Sequence, residues 1–175
     1  LKARVHGVRY PDAGRKALQN AGINYAGWLP NYKVPEAFAS HKVTVHIPRR
    51  PYVEALPGIP TIRVFEALAC GIPLVSAPWS DTERLFTPGE DYLIARNGTE
   101  MKELLKAVLA DESMARELSL RGRSTILSRH TCAHRVDELL NIFNSINRKG
   151  SNRLSAVRAS ASGGSILTSV RRSSP

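Results

Sequence analysis

Short apolar, strand-like runs alternate with helical stretches along this chain, and that order limits its fold more than any other feature. Residues 3–10, 42–47 and 72–77 read as buried or half-buried strands, with 23–26 and 91–95 as weaker ones. In 42–47 the period-two alternation puts Val43, Val45 and Ile47 on the face expected to be buried. Helices are expected over 11–21, 33–40, 61–70 and 98–110. Each segment between strands is long enough for a crossover, so the strands should run parallel in an α/β domain.

Three amphipathic helices are expected to close that domain, packing on the sheet or its edge. Met101, Leu104, Leu105, Val108 and Leu109 keep the helical spacing. Residues 113–128 repeat it with Met114, Leu118, Leu120, Ile126 and Leu127, and 131–146 with Val136, Leu139, Leu140 and Phe143. Thr131 is the expected N-cap of the last helix, because its hydroxyl can accept from a first-turn amide. Ser80-Asp81-Thr82-Glu83 fits a capping box, with Ser80 as N-cap.

The composition changes after residue 146. Residues 147–175 hold eight serines and six basic residues, with no acidic or aromatic side chain. Such a segment buries too little apolar surface to offset chain entropy, so it is expected to be a disordered basic, Ser-rich tail behind a folded domain at 1–146. It carries six of the ten net positive charges. The basic character is therefore partly a property of the tail, and nucleic acid is not the expected partner of the domain.

Cys70 and Cys132 are too few for a disulfide scaffold or a cysteine-based zinc cluster. They point to a reducing, cytoplasmic compartment; a peripheral place at a membrane stays open through contact of the basic tail with anionic lipid. No apolar run approaches the length of a membrane span. Among the histidines, His130 and His134 are spaced i, i+4, but no acidic partner completes a ligand set, so capping or surface roles are expected for His6, His41, His46, His130 and His134. Gly-x-Ser-x-Gly, P-loop and Gly-x-Gly-x-x-Gly patterns do not occur, which removes the usual routes to a hydrolase, an NTPase or a dinucleotide oxidoreductase.

The segment from Leu56 to Val75 carries the chemistry. Pro57, Gly58 and Pro60 make a loop whose backbone can approach a ligand closely. Thr61 stands where a helix N-cap belongs, and the amides of the following turn, with the helix dipole, suit a phosphate. Gly71 stands where the helix needs a left-handed residue, and Pro73 stops continuation. Within the helix, Ile62, Phe65, Leu68 and Ala69 form the expected buried face, with Glu66 about 40° from Ile62 at its edge. A carboxylate there needs donors. Ribose hydroxyls could supply two; an i, i+3 ion pair with Arg63 is the other use of the same group. Arg49 and Arg50 follow the strand at 42–47, where a diphosphate or plain solvent could meet them. Trp28 and Tyr32 could stack on a base or form a packing lid.

The run Arg63-Val64-Phe65-Glu66-Ala67-Leu68-Ala69-Cys70-Gly71-Ile72-Pro73-Leu74-Val75 closely resembles the nucleotide-binding signature of retaining GT-B glycosyltransferases, those of glycosyl transferase group 1. Its Arg-x-Phe-Glu form looks most like the spore-maturation, CgeB-like branch. Glu83-Arg84-Leu85-Phe86-Thr87-Pro88-Gly89-Glu90-Asp91 resembles the family's loop before a strand, and His130-Thr131 with Arg135 resembles the start of its closing helix. Gly27-Trp28-Leu29-Pro30 resembles an upstream turn, so the likeness covers roughly residues 3–145.

The resemblance implies a Rossmann-like sheet with flanking helices, the C-terminal, donor-binding half of a GT-B fold. It implies a hexosyltransferase-type enzyme that moves a sugar from a nucleotide-diphosphate donor to an unknown glycan, protein or lipid acceptor. Glu66 would bind ribose. Gly58, Thr61, Ile62 and Arg63 would hold the diphosphate, with Arg49 nearby. No obligatory metal or other cofactor is implied, because helix dipole and basic side chains neutralise the leaving group. The position of a second family glutamate, eight residues before Glu66, is Gly58 here. The acceptor domain and first strand would lie outside this chain, which then reads as a fragment, inactive alone and partnered by the missing N-terminal domain. The alternative is a non-catalytic binding module whose basic tail recruits RNA or an acidic partner.

Overall fold

The structure, a computed structural model, describes residues 2–162, with the side chains of Arg50 and 149–162 left aside. The order is β1 (Ala3–His6), α1 (Asp12–Asn20), β2 (Ile23–Gly27), a 3-10 turn (Asn31–Lys33), α2 (Val34–Ala39), β3 (Thr44–His46), α3 (Arg50–Ala55), α4 (Ile62–Cys70), β4 (Leu74–Ser76), β5 (Leu93–Ile94), α5 (Gly98–Ala110), α6 (Glu112–Arg129) and α7 (Cys132–Ser162). The expected α/β alternation is present and every strand pairing is parallel. The strands pair in two separate sheets: β1 with β2, and β3-β4-β5 in that order. Val45 lies beside Val75, and Val75 beside Leu93.

The chain divides into two units, one ending at Arg129 and one beginning at His130. In the first, the core gathers where α4 meets β4 and α6. Val64, Ala67, Leu68, Ile72, Leu74, Phe86, Tyr92 and Ile126 form one buried cluster. Trp79 stacks on Tyr92 with centroids 4.8 Å apart, and Phe65 meets Phe86 edge-on at 5.1 Å. Gly122 allows the close approach of α6: a Cβ there would stand 2.7 Å from Leu68 Cδ2 and 2.9 Å from the Asp91 carbonyl.

Several local expectations are corrected by this packing. The buried stripe of α4 is Val64, Ala67 and Leu68, whereas Ile62 and Ala69 are exposed. The helix is apolar on most sides, so spacing alone could not choose the stripe. On α6 the buried stripe is Leu118, Gly122 and Ile126, with Leu120 and Leu127 exposed. Strand β3 presents His46 to the interior and leaves Val45 and Ile47 exposed, the reverse of the alternation reading. Ser80 caps no helix: Asp81 takes over the segment, its carboxylate accepting from the Leu85 and Phe86 amides at 2.9 and 3.0 Å. Residues 50–55, to which the sequence assigned no element, form α3, whose Pro51 sits in the first turn, where a missing N–H costs nothing.

The second unit contains α7. Thr131 caps it as expected: the His134 amide lies 3.5 Å from the Thr131 hydroxyl, which bonds the His134 ring at 2.7 Å. Val136, Leu139, Leu140 and Phe143 are each more than half exposed rather than buried. The helix runs through Ser162, past the point where the composition led us to expect disorder. Arg148, Arg153, Leu154, Ala156, Arg158 and Ala159 are good helix formers and no proline interrupts them. The rest of the expected tail, 163–175, lies outside the described residues. No helix among the described residues is long and apolar enough to cross a membrane.

Candidate functional site

The carboxyl ends of β3 and β4 lie side by side, and α4 starts beside them. The α4–β4 turn that sets this arrangement follows from local sequence. Gly71 has φ 69° and ψ 30°, the left-handed cap position. The Gly71 amide donates to the Leu68 carbonyl at 3.0 Å and the Ile72 amide to Ala67 at 3.2 Å, the paired bonds of a Schellman turn. Pro73 then begins the fully buried strand Leu74–Ser76.

At the other end of α4, Thr61 occupies the N-cap position but makes no side-chain cap. The Thr61 hydroxyl instead meets His46 Nε2 at 3.0 Å. His46 Nδ1 is 2.8 Å from the Ser76 hydroxyl, which donates to the Ala77 carbonyl at 2.7 Å. The ring is 5% exposed and meets Trp79 edge-on with centroids 5.9 Å apart. Burial lowers the His46 pKa from its ordinary value, because the charged imidazolium loses its hydration. His46 is the site residue that the sequence reading missed. Its expected capping or surface role is overturned by its burial, and the signal available was its place between apolar residues on a strand that ends at the expected ligand side. Among the described residues no group of three His, Cys, Asp or Glu side chains could hold a metal ion.

Arg63 and Glu66 form the i, i+3 ion pair, Nη1 to Oε2, from the first turn of α4 to the second. Glu66 is about a quarter exposed, so the pair is open to solvent, and its Oε1 remains available to a further donor. Ile62, on the first turn, is exposed. Gly58 packs tightly under the loop that follows β4: a Cβ there would be 3.1 Å from the Ser80 carbonyl and 3.3 Å from Thr82 Oγ1. The Ser80 amide donates to the Pro57 carbonyl at 2.9 Å, which closes this contact. Thr61, Ile62, Arg63 and Glu66 thus cluster on one helix start, with Gly58 on the loop before it. Arg49 is engaged elsewhere, donating to the Val8 carbonyl at 3.3 Å. Trp28 and Tyr32 are 71% and 80% exposed, so neither is a packing lid.

Comparison with known proteins relates the chain to a group in sequence and fold. A sequence model described as glycosyl transferase-like matches residues 1–141. The comparison with curated proteins finds no match. Among solved structures, the sucrose-phosphate synthase of Thermosynechococcus elongatus superposes with a TM-score of 0.65 at 15% identity, covering 83% of this chain and 38% of its own. Alr3699/HepE of Anabaena, solved in complex with UDP-glucose, gives 0.67 at 15% identity, covering 82% and 41%. TarM of S. aureus, solved with UDP, fondaparinux and a GlcNAc-glycerol, gives 0.62 at 15%, covering 82% and 29%. The chain spans about two fifths or less of the length of these neighbours. The match in sequence over most of the chain, together with a shared fold of parallel sheets and flanking helices, places this protein in the glycosyl transferase-like family.

Proposed function

We propose that this chain is the nucleotide-sugar-binding half of a GT-B glycosyltransferase of hexosyltransferase type. The observation that carries the proposal is the start of α4, which has no side-chain cap, at the carboxyl ends of β3 and β4, with Arg63 in its first turn and Glu66 in its second. A donor diphosphate there meets the Ile62 and Arg63 amides and the positive end of the helix dipole, the Val64 amide being bonded to the Thr61 carbonyl at 3.1 Å. Arg63 supplies a mobile counter-charge, being half exposed and held only by Glu66. Glu66 Oε1 accepts from a ribose hydroxyl while Oε2 keeps Arg63. The charge that develops on the leaving diphosphate is then met by preorganised dipoles, with no obligatory metal. Gly58 lets the Pro57 loop close on Ser80, at the position where related enzymes carry a glutamate; a Cβ there would press on the Ser80 carbonyl at 3.1 Å. The N-terminal acceptor domain of such an enzyme would complete the cleft, and this chain alone would be inactive. The CgeB-like branch is supported by the Arg63-Val64-Phe65-Glu66 wording of the signature.

Calorimetric titration with UDP-glucose and GDP-mannose tests this reading, before and after deletion of 147–175. Binding that survives the deletion is expected. Binding of RNA with a steep salt dependence, lost on the same deletion, would favour the non-catalytic module instead. Glu66→Gln separates the two uses of that carboxylate. Charge-assisted bonds contribute about 1.5–3 kcal/mol each, so a ribose role predicts at least a tenfold loss of affinity. A pure ion-pair role predicts unchanged affinity and about 0.2–0.5 kcal/mol lost from stability.

A further inference from the structure

We propose that His46 is a positioning residue that couples anion binding at the start of α4 to the uptake of one proton, acting through the Thr61 hydroxyl. The inference rests on the nucleotide-sugar reading above and adds to it a group that the family signature does not include.

The hydrogen bonds around the ring assign its proton. The Ser76 hydroxyl has one hydrogen and lies 2.7 Å from the Ala77 carbonyl and 3.4 Å from the His46 carbonyl. Carbonyls only accept, so that hydrogen goes to Ala77 and the Ser76 oxygen accepts from His46 Nδ1–H at 2.8 Å. The neutral ring therefore carries its lone pair on Nε2. Thr61 Oγ1, 3.0 Å away, must then donate to it. In this state the Thr61 hydrogen is turned inward, and only oxygen lone pairs face the start of α4. An anion arriving there meets a hydroxyl with the wrong polarity.

Protonation reverses the bond. With a proton taken from water onto Nε2, His46 donates to Thr61 Oγ1, and the Thr61 hydrogen is free to turn outward to a phosphate oxygen. The Nδ1–H bond to Ser76 is unchanged. A bound diphosphate thus gains one donor and one nearby positive charge, and its own negative charge favours the imidazolium in return. In the free chain, burial and the positive end of the α4 dipole both oppose that charge.

The charged groups on the surrounding elements leave this exchange to Thr61. Arg49 beyond β3 bonds Val8, and Arg63 and Glu66 on α4 bond each other. Asp81 after β4 is held by the Leu85 and Phe86 amides, and Asp91 before β5 by the Thr87 amide and the Thr125 hydroxyl. Tyr92 lies behind Trp79, and burial raises its pKa, so it stays neutral. Both ring nitrogens of His46 are already taken by hydroxyls, so no carboxylate competes for them.

Calorimetric titration of the full chain with UDP-glucose and GDP-mannose tests the coupling, run between about pH 5.5 and 8 in buffers of differing ionisation enthalpy. The diphosphate of a sugar nucleotide is a diester with no proton to exchange in this range. The wild type is expected to take up a fraction of a proton on binding, with affinity up to about tenfold higher at the acid end for each unit by which the ligand raises the His46 pKa. Thr61→Val should bind with less linked proton uptake and a shallower pH profile, and Thr61→Ser should restore both. Where Thr61→Val does not fold, the wild-type proton count and the imidazole shift of His46, followed by NMR with and without ligand, decide the matter. Binding without proton uptake, or a Thr61→Val profile equal to the wild type, overturns the coupling and leaves the nucleotide-sugar reading intact. A wild type that binds neither sugar nucleotide overturns that reading, and the coupling with it.

Discussion

Helices α4 and α7 both show apolar residues at helical spacing, and their fates differ. Val64 and Leu68 of α4 are 0% and 1% exposed, whereas Leu139 of α7 is 65% exposed. The difference lies in what surrounds each helix within its own unit. α4 is flanked by a strand reached through a three-residue turn and by α6, whose Gly122 admits it closely. α7 is the one helix described in its unit. A periodic apolar stripe states which side chains could be buried together; burial also needs a facing surface.

The largest expected effect breaks this contrast directly. Leu68→Ala should cost about 2–5 kcal/mol, because the cavity left among Val64, Leu74 and Ile126 collapses only partly. Leu139→Ala, the same chemical change on α7, should stay within about 0.5 kcal/mol. Denaturant unfolding of both variants checks the pair, and equal losses would show that α7 is as deeply engaged as α4.

Gly122→Ala sharpens the same point from the facing helix. The new methyl would stand against Leu68 and the Asp91 backbone, and a carbonyl cannot move as a side-chain tip can. A loss of about 1–3 kcal/mol is expected from such overpacking. Its melting temperature should fall well below that of Gly98→Ala, where the added Cβ meets nothing within 4 Å. Similar melting temperatures would deny the close helix contact.

Gly71→Ala should cost about 1 kcal/mol or more, through the left-handed backbone rather than a clash. The nearest atom to an added Cβ is 3.8 Å away, on Arg123. Gly71→Asn should recover part of the loss, since asparagine tolerates this conformation better. Alanine and asparagine variants of equal stability would mean that the turn is not limited by its φ angle.

A smaller, pH-dependent effect belongs to His46. Burial holds its pKa below the ordinary 6.5. The folded chain then keeps it neutral while the unfolded chain takes up a proton. Its contribution is complete above the unfolded value and is lost as pH falls through that value towards the folded one. Urea unfolding should therefore show stability declining between pH 7.5 and about 5.5, with a shallower decline in His46→Gln. An identical slope in the variant would remove His46 as the source.

The family signature was legible because it is a local object. Gly71, Pro73 and the apolar run Leu74–Ser76 specify helix, turn and strand through contacts a few residues long, and the structure keeps each of them. The Arg63–Glu66 pair, an i, i+3 contact, was legible for the same reason. The order of elements also came from the sequence, since apolar period and turn residues report strand and helix without reference to distant partners.

What faces what had to wait for the tertiary structure. Ile62 and Val64 are both apolar members of one short helix, and only the position of β4 and α6 turns Val64 inward. His46 sits inward and Val45 outward because Ser76, 30 residues on, and Thr61, 15 residues on, satisfy the two ring nitrogens. A buried imidazole is costly alone and acceptable with two partners. The sequence shows each hydroxyl as a candidate cap or a strand serine; their meeting on one ring is a property of the packed chain, where a hydrogen bond between distant residues outweighs the local preference of each.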